Sequence, residues 1–564
     1  MRPKKDETRD EGAKAGESNI EFVRRLIHTP LSGGLNLLQL TTFAGVSYWW
    51  NVDANFYESV LNQTSYRPPR GLKRVFPRLY RRFGGLTQFL YDLSLRKLSH
   101  LLSRGSNPKK GVIVLLTQDV EWRRIRDYDA GGYVKTDAFF HNIIKKLSEY
   151  ALVSSYPLDV SIPGGFKVAL EKRTWFVPHH PTNQYWGIGT WLTEREARRN
   201  FAANWDKIAD DPKLKSLCQH QGRDLYPVVR DKLESIFLYV LPQAVKIHEV
   251  SKKMFADEKT SLLLLQNEYG WRERSSVVAA KELEIPVLAI QHGIIIPGHK
   301  GYMYRRDEVS PQLSVSSQYC PLPDYTAVFG ESYRDLLIEE SAYPSGRVVV
   351  TGSPRYDHLI NAGKIYNRAG FSKKYGVAKG QKLVLWATQS HSLSDEENMA
   401  NIEAILRAAD ALGGVTIIIK QHPAEAPRYT KILQDAASRH GGKVIIVPKD
   451  SDTYEQLYAC DLLITKNSTT AVEAVALGKP VIVLNLGGTP DAVDYVAEGV
   501  AVGVYSLENL TNAITTLLVD DSVLAAKRPG YISRNIYRGD GRASERVAEL
   551  VKRIIREGPK GNTN

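Results

Sequence analysis

Cysteine is scarce in this chain: only Cys218, Cys320 and Cys460 occur in 564 residues, far apart and in no C-x-x-C pair. That spacing excludes a disulfide framework and a cysteine zinc site, and it suits a reducing compartment. Neither G-x-G-x-x-G nor G-x-x-x-x-G-K-[ST] is present, which argues against a dinucleotide dehydrogenase and a P-loop NTPase. No repeat of solenoid period is found. The one long uncharged run, Thr29 to Val52, is interrupted by Asn36, Gln39, Thr41, Thr42, Ser47 and Asn51, too polar a pattern for a transmembrane helix. It also starts too late, and has no short apolar block before a cleavage site, for a secretory signal.

What is present describes a globular protein, with 43% apolar and 24% charged residues and room for two or three domains. The formal net charge of +13 is uneven. Between Asn19 and Lys110, 14 Lys and Arg stand against 4 Asp and Glu, most densely in "RPPRGLKRVFPRLYRRF", Arg67 to Phe83. Next to Tyr48-Trp49-Trp50, that charge suits docking on an anionic membrane surface, and so a cytoplasmic protein peripheral on the inner face of the cell membrane. A basic face packed on its own protein is the alternative. No recognisable nucleic-acid module accompanies the charge, so nucleic acid is not expected as a partner.

The pattern divides the chain into four parts. Residues 1–18 read as a disordered polar tail, and 19–110 are the basic region. Residues 111–350 and 351–564 each read as a Rossmann-like domain. In the first, "GVIVLLT", "SLLLLQNEYGW" and "PVLAIQHG" are buried-strand runs, with a long helical insertion near Thr193 to Phe255. In the second, "KLVLWATQS", "VTIIIKQHP", "KVIIVP", "DLLITKNST" and "KPVIVLNL" alternate with helical segments, as a doubly wound parallel sheet requires. The expected fold class is α/β, with two doubly wound domains facing one cleft and a basic N-terminal extension.

Ligands of such sheets bind beyond the carboxyl ends of the strands, and several of these ends carry polar residues. Lys420 and His422 in "IIIKQHP" can meet an anion. Asn467, Ser468, Thr469 and Thr470 lie where a strand turns into a helix, and free amides there favour phosphate. Glu473, one turn further on, is placed to accept from ribose hydroxyls. Each loop also has an ordinary reading, since Ser and Thr after a strand cap helices and His-Pro makes turns.

With "EAVALGKPVIVL" following, the His-Pro and Ser-Thr pattern resembles the donor half of GT-B glycosyltransferases. The branch most resembled builds surface polysaccharides and includes capsule enzymes, GT-B sialyltransferases and CDP-glycerol polymerases. The resemblance covers roughly Ser261 to Tyr505 and implies that His422 and Ser468-Thr469 contact the nucleotide phosphates. "TGSPRYD", Thr351 to Asp357 with Gly352, is similar to the segment entering the second domain of these enzymes. Gln291-His292-Gly293 stands near the His-Gly of CDP-glycerol polymerases, which implies that His292 is the base taking the acceptor's proton. Ile294 and Ile295 replace the rest of that motif, which weighs against the glycerol-phosphate version. His299, Lys300 and Glu268 are further candidates, Glu268 as acid catalyst or orienting group. Asp450-x-Asp452 matches a metal motif but precedes a helix, so Asp452 reads as its N-cap. No metal or cofactor is expected.

The reading is a metal-independent glycosyltransferase moving a sugar from a nucleotide-sugar donor to a glycan or lipid-linked acceptor. Two alternatives remain: a CDP-glycerol-type polyol-phosphate transferase, and a non-hydrolysing UDP-sugar 2-epimerase. The epimerases resemble this chain in "EA…LGKPV", but have two glycines where Thr469-Thr470 stand and a different loop at Gln291-His292-Gly293.

Overall fold

The computed structural model describes residues 18–61, a few residues between 90 and 98, 112–148 except 130, 152–157, 164–172, 175, and 177–558 except 391, 392 and 424. Residues 1–17 of the tail expected at 1–18, and the basic cluster at 67–83, lie outside the described residues, while Ser18 caps the helix Asn19–His28.

Two six-stranded parallel sheets organise the chain. The first holds β1 (Val112–Thr117), β2 (Leu152–Pro157), β3 (Thr260–Gln266), β4 (Val287–Ile290), β5 (Tyr325–Val328) and β6 (Val348–Val350), in the order β6-β5-β4-β3-β1-β2. The second holds β7 (Lys382–Ala387), β8 (Val415–Lys420), β9 (Val444–Val447), β10 (Leu462–Thr465), β11 (Val481–Leu484) and β12 (Val502–Val504), in the order β9-β8-β7-β10-β11-β12. This second order is the doubly wound one, and the whole is an α/β chain of two Rossmann-like sheets. β12, with only three residues and a central glycine, is a sixth strand beyond the five apolar runs visible in the sequence.

Alternation explains the layers. Ile113 and Leu115 of β1 face one core with Phe140, Ile143 and Leu264, whereas Val112, Val114 and Leu116 face another with Met254, Val277 and Leu263. Every residue of β1 and of β8 is buried, as parallel strands covered on both faces must be. The order in which strands are added reverses between β1 and β3 in the first sheet and between β7 and β10 in the second. Those are the points where crevices open at the carboxyl ends.

Two expectations about the ends of the chain are corrected. First, the run Thr29 to Val52 is not a membrane-facing surface. Trp49 and Trp50 are both 0% exposed, packed in one core cluster with Phe22, Phe56, Phe201, Trp205 and Tyr304. Trp50 Nε1 donates to the Gln318 carbonyl (3.2 Å), and Asn51 Nδ2 donates to Trp271 O and Ser275 Oγ (both 2.8 Å). Of the polar residues that broke up the run, Asn51 ties it to the first domain, while Asn36, Gln39, Thr41 and Thr42 bond within the segment itself. Second, the second domain does not extend to the C-terminus. Val547, Ala548, Leu550, Val551 and Ile554 of the helix Ala543–Glu557 pack in the core of the first sheet. An amphipathic helix looks the same in sequence whichever sheet it covers.

The chain therefore crosses between the halves twice, and the two crossings are bonded together. Arg546 Nε donates to Thr351 O (2.7 Å), and the Asp357 carboxylate accepts from the Ala543 and Ser544 amides (2.7 and 2.8 Å). Gly352 has φ +82°, and a Cβ there would lie 3.1 Å from Ala543 Cβ, so both conformation and space call for glycine. No helix among the described residues is long and apolar enough to cross a membrane.

The buried position of Trp49 predicts that Trp49→Ala lowers the unfolding free energy by about 3–5 kcal/mol, read by denaturant titration of the full chain. A loss of under about 1 kcal/mol, the size expected of a surface change, would contradict the packing described.

Candidate functional site

At the reversal point of the second sheet, one side chain fixes two loops. Gln389 follows β7, and its Oε1 accepts from the backbone amides of Lys466 (3.1 Å) and Asn467 (3.0 Å) and from Thr465 Oγ1 (3.2 Å). Its Nε2 donates to Asn467 Oδ1. Asn467 is therefore a brace, and the loop after β10 is presented in a fixed form. Ser468 Oγ accepts from the Thr470 amide (3.2 Å), while Tyr495 OH donates to Ser468 O (2.9 Å). Thr469 makes no side-chain cap, and Thr470 Oγ1 is buried with no hydrogen-bond partner. The helix that follows, Thr470–Ala476, is only seven residues long, so its dipole is a weaker attractor than the sequence suggested.

Glu473, 2% exposed, accepts from Tyr454 OH (3.1 Å) and lies 3.8 Å from Arg355 Nη2. Burial raises its pKa, and Arg355, Tyr454 and Arg123 oppose the rise. Lys420, at the end of β8, donates to Lys449 O (2.7 Å) and Gln421 O (3.0 Å). Burial, then the Arg123 guanidinium, lowers its ammonium pKa to about 8, against the pull of Asp450 and Glu425. His422 is exposed, one residue beyond the sheet's cover. Asp452 caps the helix Thr453–Ala459, accepting from the Tyr454 amide (2.9 Å). No cluster of metal-ligating residues occurs among the described residues.

The first half supplies the facing wall. Gln291 is sealed in: it donates to Gly293 O (2.7 Å) and accepts from the Phe329 amide (2.8 Å), which makes it a strut and removes it from substrate contact. A Cβ on Gly293 would meet nothing within 4 Å, so this loop is open there. His292 Nδ1 has no partner, and burial, then His299, brings its pKa down to about 4. Arg355 lowers it further and Glu121 opposes, so both lie within electrostatic reach of the ring. The His299 ring packs on Tyr269 and Tyr302, and its Nδ1 accepts from the Gly301 amide (3.2 Å). Glu268 is 1% exposed and accepts from Tyr343 OH (2.5 Å) and Thr326 Oγ1 (3.2 Å), behind this wall. Lys300 is likewise buried, 3.9 Å from Asp53 Oδ2.

Several residues here escaped the sequence reading. Arg355, in the crossover, interacts with Tyr454, Glu473 and Glu121. Arg123 lies on an antiparallel hairpin, Trp122–Arg126 paired with Tyr133–Asp137; it donates to Glu121 (2.6 Å), and its buried Nε has no partner. The one available signal was "EWRRIR", with three arginines on a short strand. Thus Arg123 and Arg355 lie within electrostatic reach of one buried carboxylate, Glu473, and Lys420 within reach of Arg123, where burial first and repulsion from Arg123 second lower the Lys420 pKa. An anion entering among them would relieve that repulsion.

The sequence profile of the UDP-N-acetylglucosamine 2-epimerase family matches residues 322–552, less than half of the chain and mainly the second sheet with both crossings. A search of curated proteins finds no match. Among solved structures, the UDP-GlcNAc 2-epimerase from Neisseria meningitidis bound to UDP-GlcNAc is similar at 16% identity, over 79% of this chain and 100% of that one, with a TM-score of 0.48. A glycosyltransferase from Rickettsia africae is similar at 13% identity, over 79% and 100%, with a TM-score of 0.43. The wall teichoic acid polymerase TagF is similar at 12% identity, over 86% and 100%, with a TM-score of 0.45. At such scores these likenesses say nothing of activity.

The depressed Lys420 pKa gives a pH dependence. Its charged form attracts anions and is lost as pH rises through about 8, so affinity for inorganic pyrophosphate should fall between pH 7 and pH 9. Calorimetry of Lys420→Met should show weaker binding that no longer changes over that interval. A pH-dependent fall of equal size in both proteins would place the titrating group elsewhere.

Proposed function

We propose that this chain is an enzyme acting on a nucleotide-activated sugar held between its two halves, and that the reaction is 2-epimerisation of a UDP-sugar. The observation that carries the nucleotide-sugar reading is the convergence of Arg123, Arg355 and Lys420, from both halves, at the carboxyl ends of the sheets. A diphosphate is the anion whose charge and length suit three cations spread across a cleft. Thr470 Oγ1 and Arg123 Nε, both buried and unpartnered, are donors in reserve for it. The family profile over residues 322–552 favours epimerisation within this class.

Inverting C2 requires its proton to leave as the C1–O bond to the diphosphate breaks, giving a 1,2-unsaturated sugar and UDP, and a proton to arrive on the other face of C2 as the diphosphate oxygen re-adds at C1. His292 stays neutral at physiological pH, and its unpartnered Nδ1 can accept a proton. A diphosphate bound near Arg355 would raise the pKa of His292 by countering the cations around it, which strengthens it as a base. Glu121, within reach of both His292 and Arg355, is the second acid–base candidate.

Transfer of the sugar to a glycan or lipid-linked acceptor is the second reading. It is favoured by Thr469-Thr470, which stand where the resembled epimerases carry two glycines.

Incubation with UDP-GlcNAc and no acceptor separates the readings. The expected product is the 2-epimer, seen by NMR together with exchange of the C2 proton in D2O. Release of UDP only when a glycan acceptor is added would replace epimerisation with transfer. No binding of any UDP-sugar would remove the class. Arg355→Ala should weaken UDP binding tenfold or more, because a hydrogen bond to a charged group contributes about 1.5–3 kcal/mol.

A further inference from the structure

The hairpin that carries Arg123 is held at both ends. On its own half, Lys145 Nζ donates to Asp127 Oδ1 (2.8 Å) and Asp129 Oδ2 (3.0 Å), and the Asp127 amide closes the turn on Gly132 O (2.8 Å). Across the cleft, the Tyr128 ring lies flat on His358, with centroids 3.8 Å apart and planes at 7°. Tyr366 OH donates to Tyr128 OH (3.2 Å), and the Arg126 guanidinium sits 5.4 Å over the Tyr366 ring. Both nitrogens of His358 are buried, and its ring is held between Tyr128 and Tyr454, with the Arg355 backbone beside it. Its other side meets the edge of Tyr454 (4.4 Å), whose hydroxyl holds Glu473.

Tyr128 thus couples the backbone that bears Arg123 to the carboxylate at the centre of the cation cluster. We infer that Tyr128 is a positioning residue. Stacked on His358, it seats the hairpin so that Arg123 meets the diphosphate bound by the second half. Burial keeps His358 uncharged, with a pKa of about 3, so the stack does not vary across physiological pH. This inference rests on the nucleotide-sugar reading above.

Its test is a double-mutant cycle on the full chain, with UDP affinity measured by calorimetry. Tyr128→Ala should weaken UDP binding about fivefold to tenfold, the size of a stacked aromatic pair. Tyr128→Phe keeps the stack and should stay within about twofold of the parent, which guards against a folding artefact. In an Arg123→Ala background, Tyr128→Ala should cost less than about twofold, because its effect passes through that arginine. Losses that simply multiply, with Tyr128→Ala equally costly in both backgrounds, would overturn the inference and leave the nucleotide-sugar reading standing. Failure of the parent chain to bind UDP or any UDP-sugar would overturn both.

Discussion

A parallel sheet covered on both faces can afford polar chemistry only at its strand ends, and this molecule sets the ends of two such sheets against each other. The interiors of β1, β3, β7, β8 and β10 are almost wholly aliphatic. A charge placed there would be unpaired and expensive. Lys420, Gln389 and Gln291 all stand at the last residue of a strand or just past it. Each then finds its partner in backbone carbonyls or amides of an adjacent loop, which gives the cleft rigid walls built from short connections.

Residues 18–61 take part in that rigidity. Besides burying Trp49 and Trp50, they hold the long loop that carries His292 and His299. Arg24 reaches Glu308 (3.4 Å), Ser47 donates its amide to Ser316 O (3.2 Å), and Asp53 stands beside Lys300. Asp53 has its pKa raised to about 6, chiefly by burial and against the pull of Lys300 and Arg274. Buried ionic pairs of this kind contribute little net stability but fix one arrangement against others. Here the arrangement fixed is that of a loop facing the cation cluster.

Much of the architecture was legible because aliphatic runs of four to seven residues, bounded by polar turns, have few other structures to adopt. The loops at Lys420 and Ser468 were legible for the same reason, since polar residues directly after such a run stand at a sheet edge. The hairpin with Arg123 and Tyr128 was not, because its strands are charged and lie outside both sheets. Arg355 lies within "TGSPRYD", where nothing local distinguishes an arginine aimed across a cleft from one in water. The Thr29 to Val52 run was misassigned because uncharged aromatic sequence has one composition whether it covers lipid or protein. Glu268 and Gln291 looked available because exposure is a property of neighbours distant in the chain.

The return of the helix Ala543–Glu557 to the first sheet has a consequence for how the molecule is made. On the ribosome, the first domain emerges with its sheet complete after β6, yet the face that Val547, Leu550 and Val551 will cover stays open. The whole second domain must then be synthesised, on the order of ten seconds or more at about 5–20 residues per second, before the missing helix arrives. Domains usually finish folding in the order they are translated. In this chain the domain begun first is closed last, and the apolar flank of its sheet stays uncovered until that helix emerges.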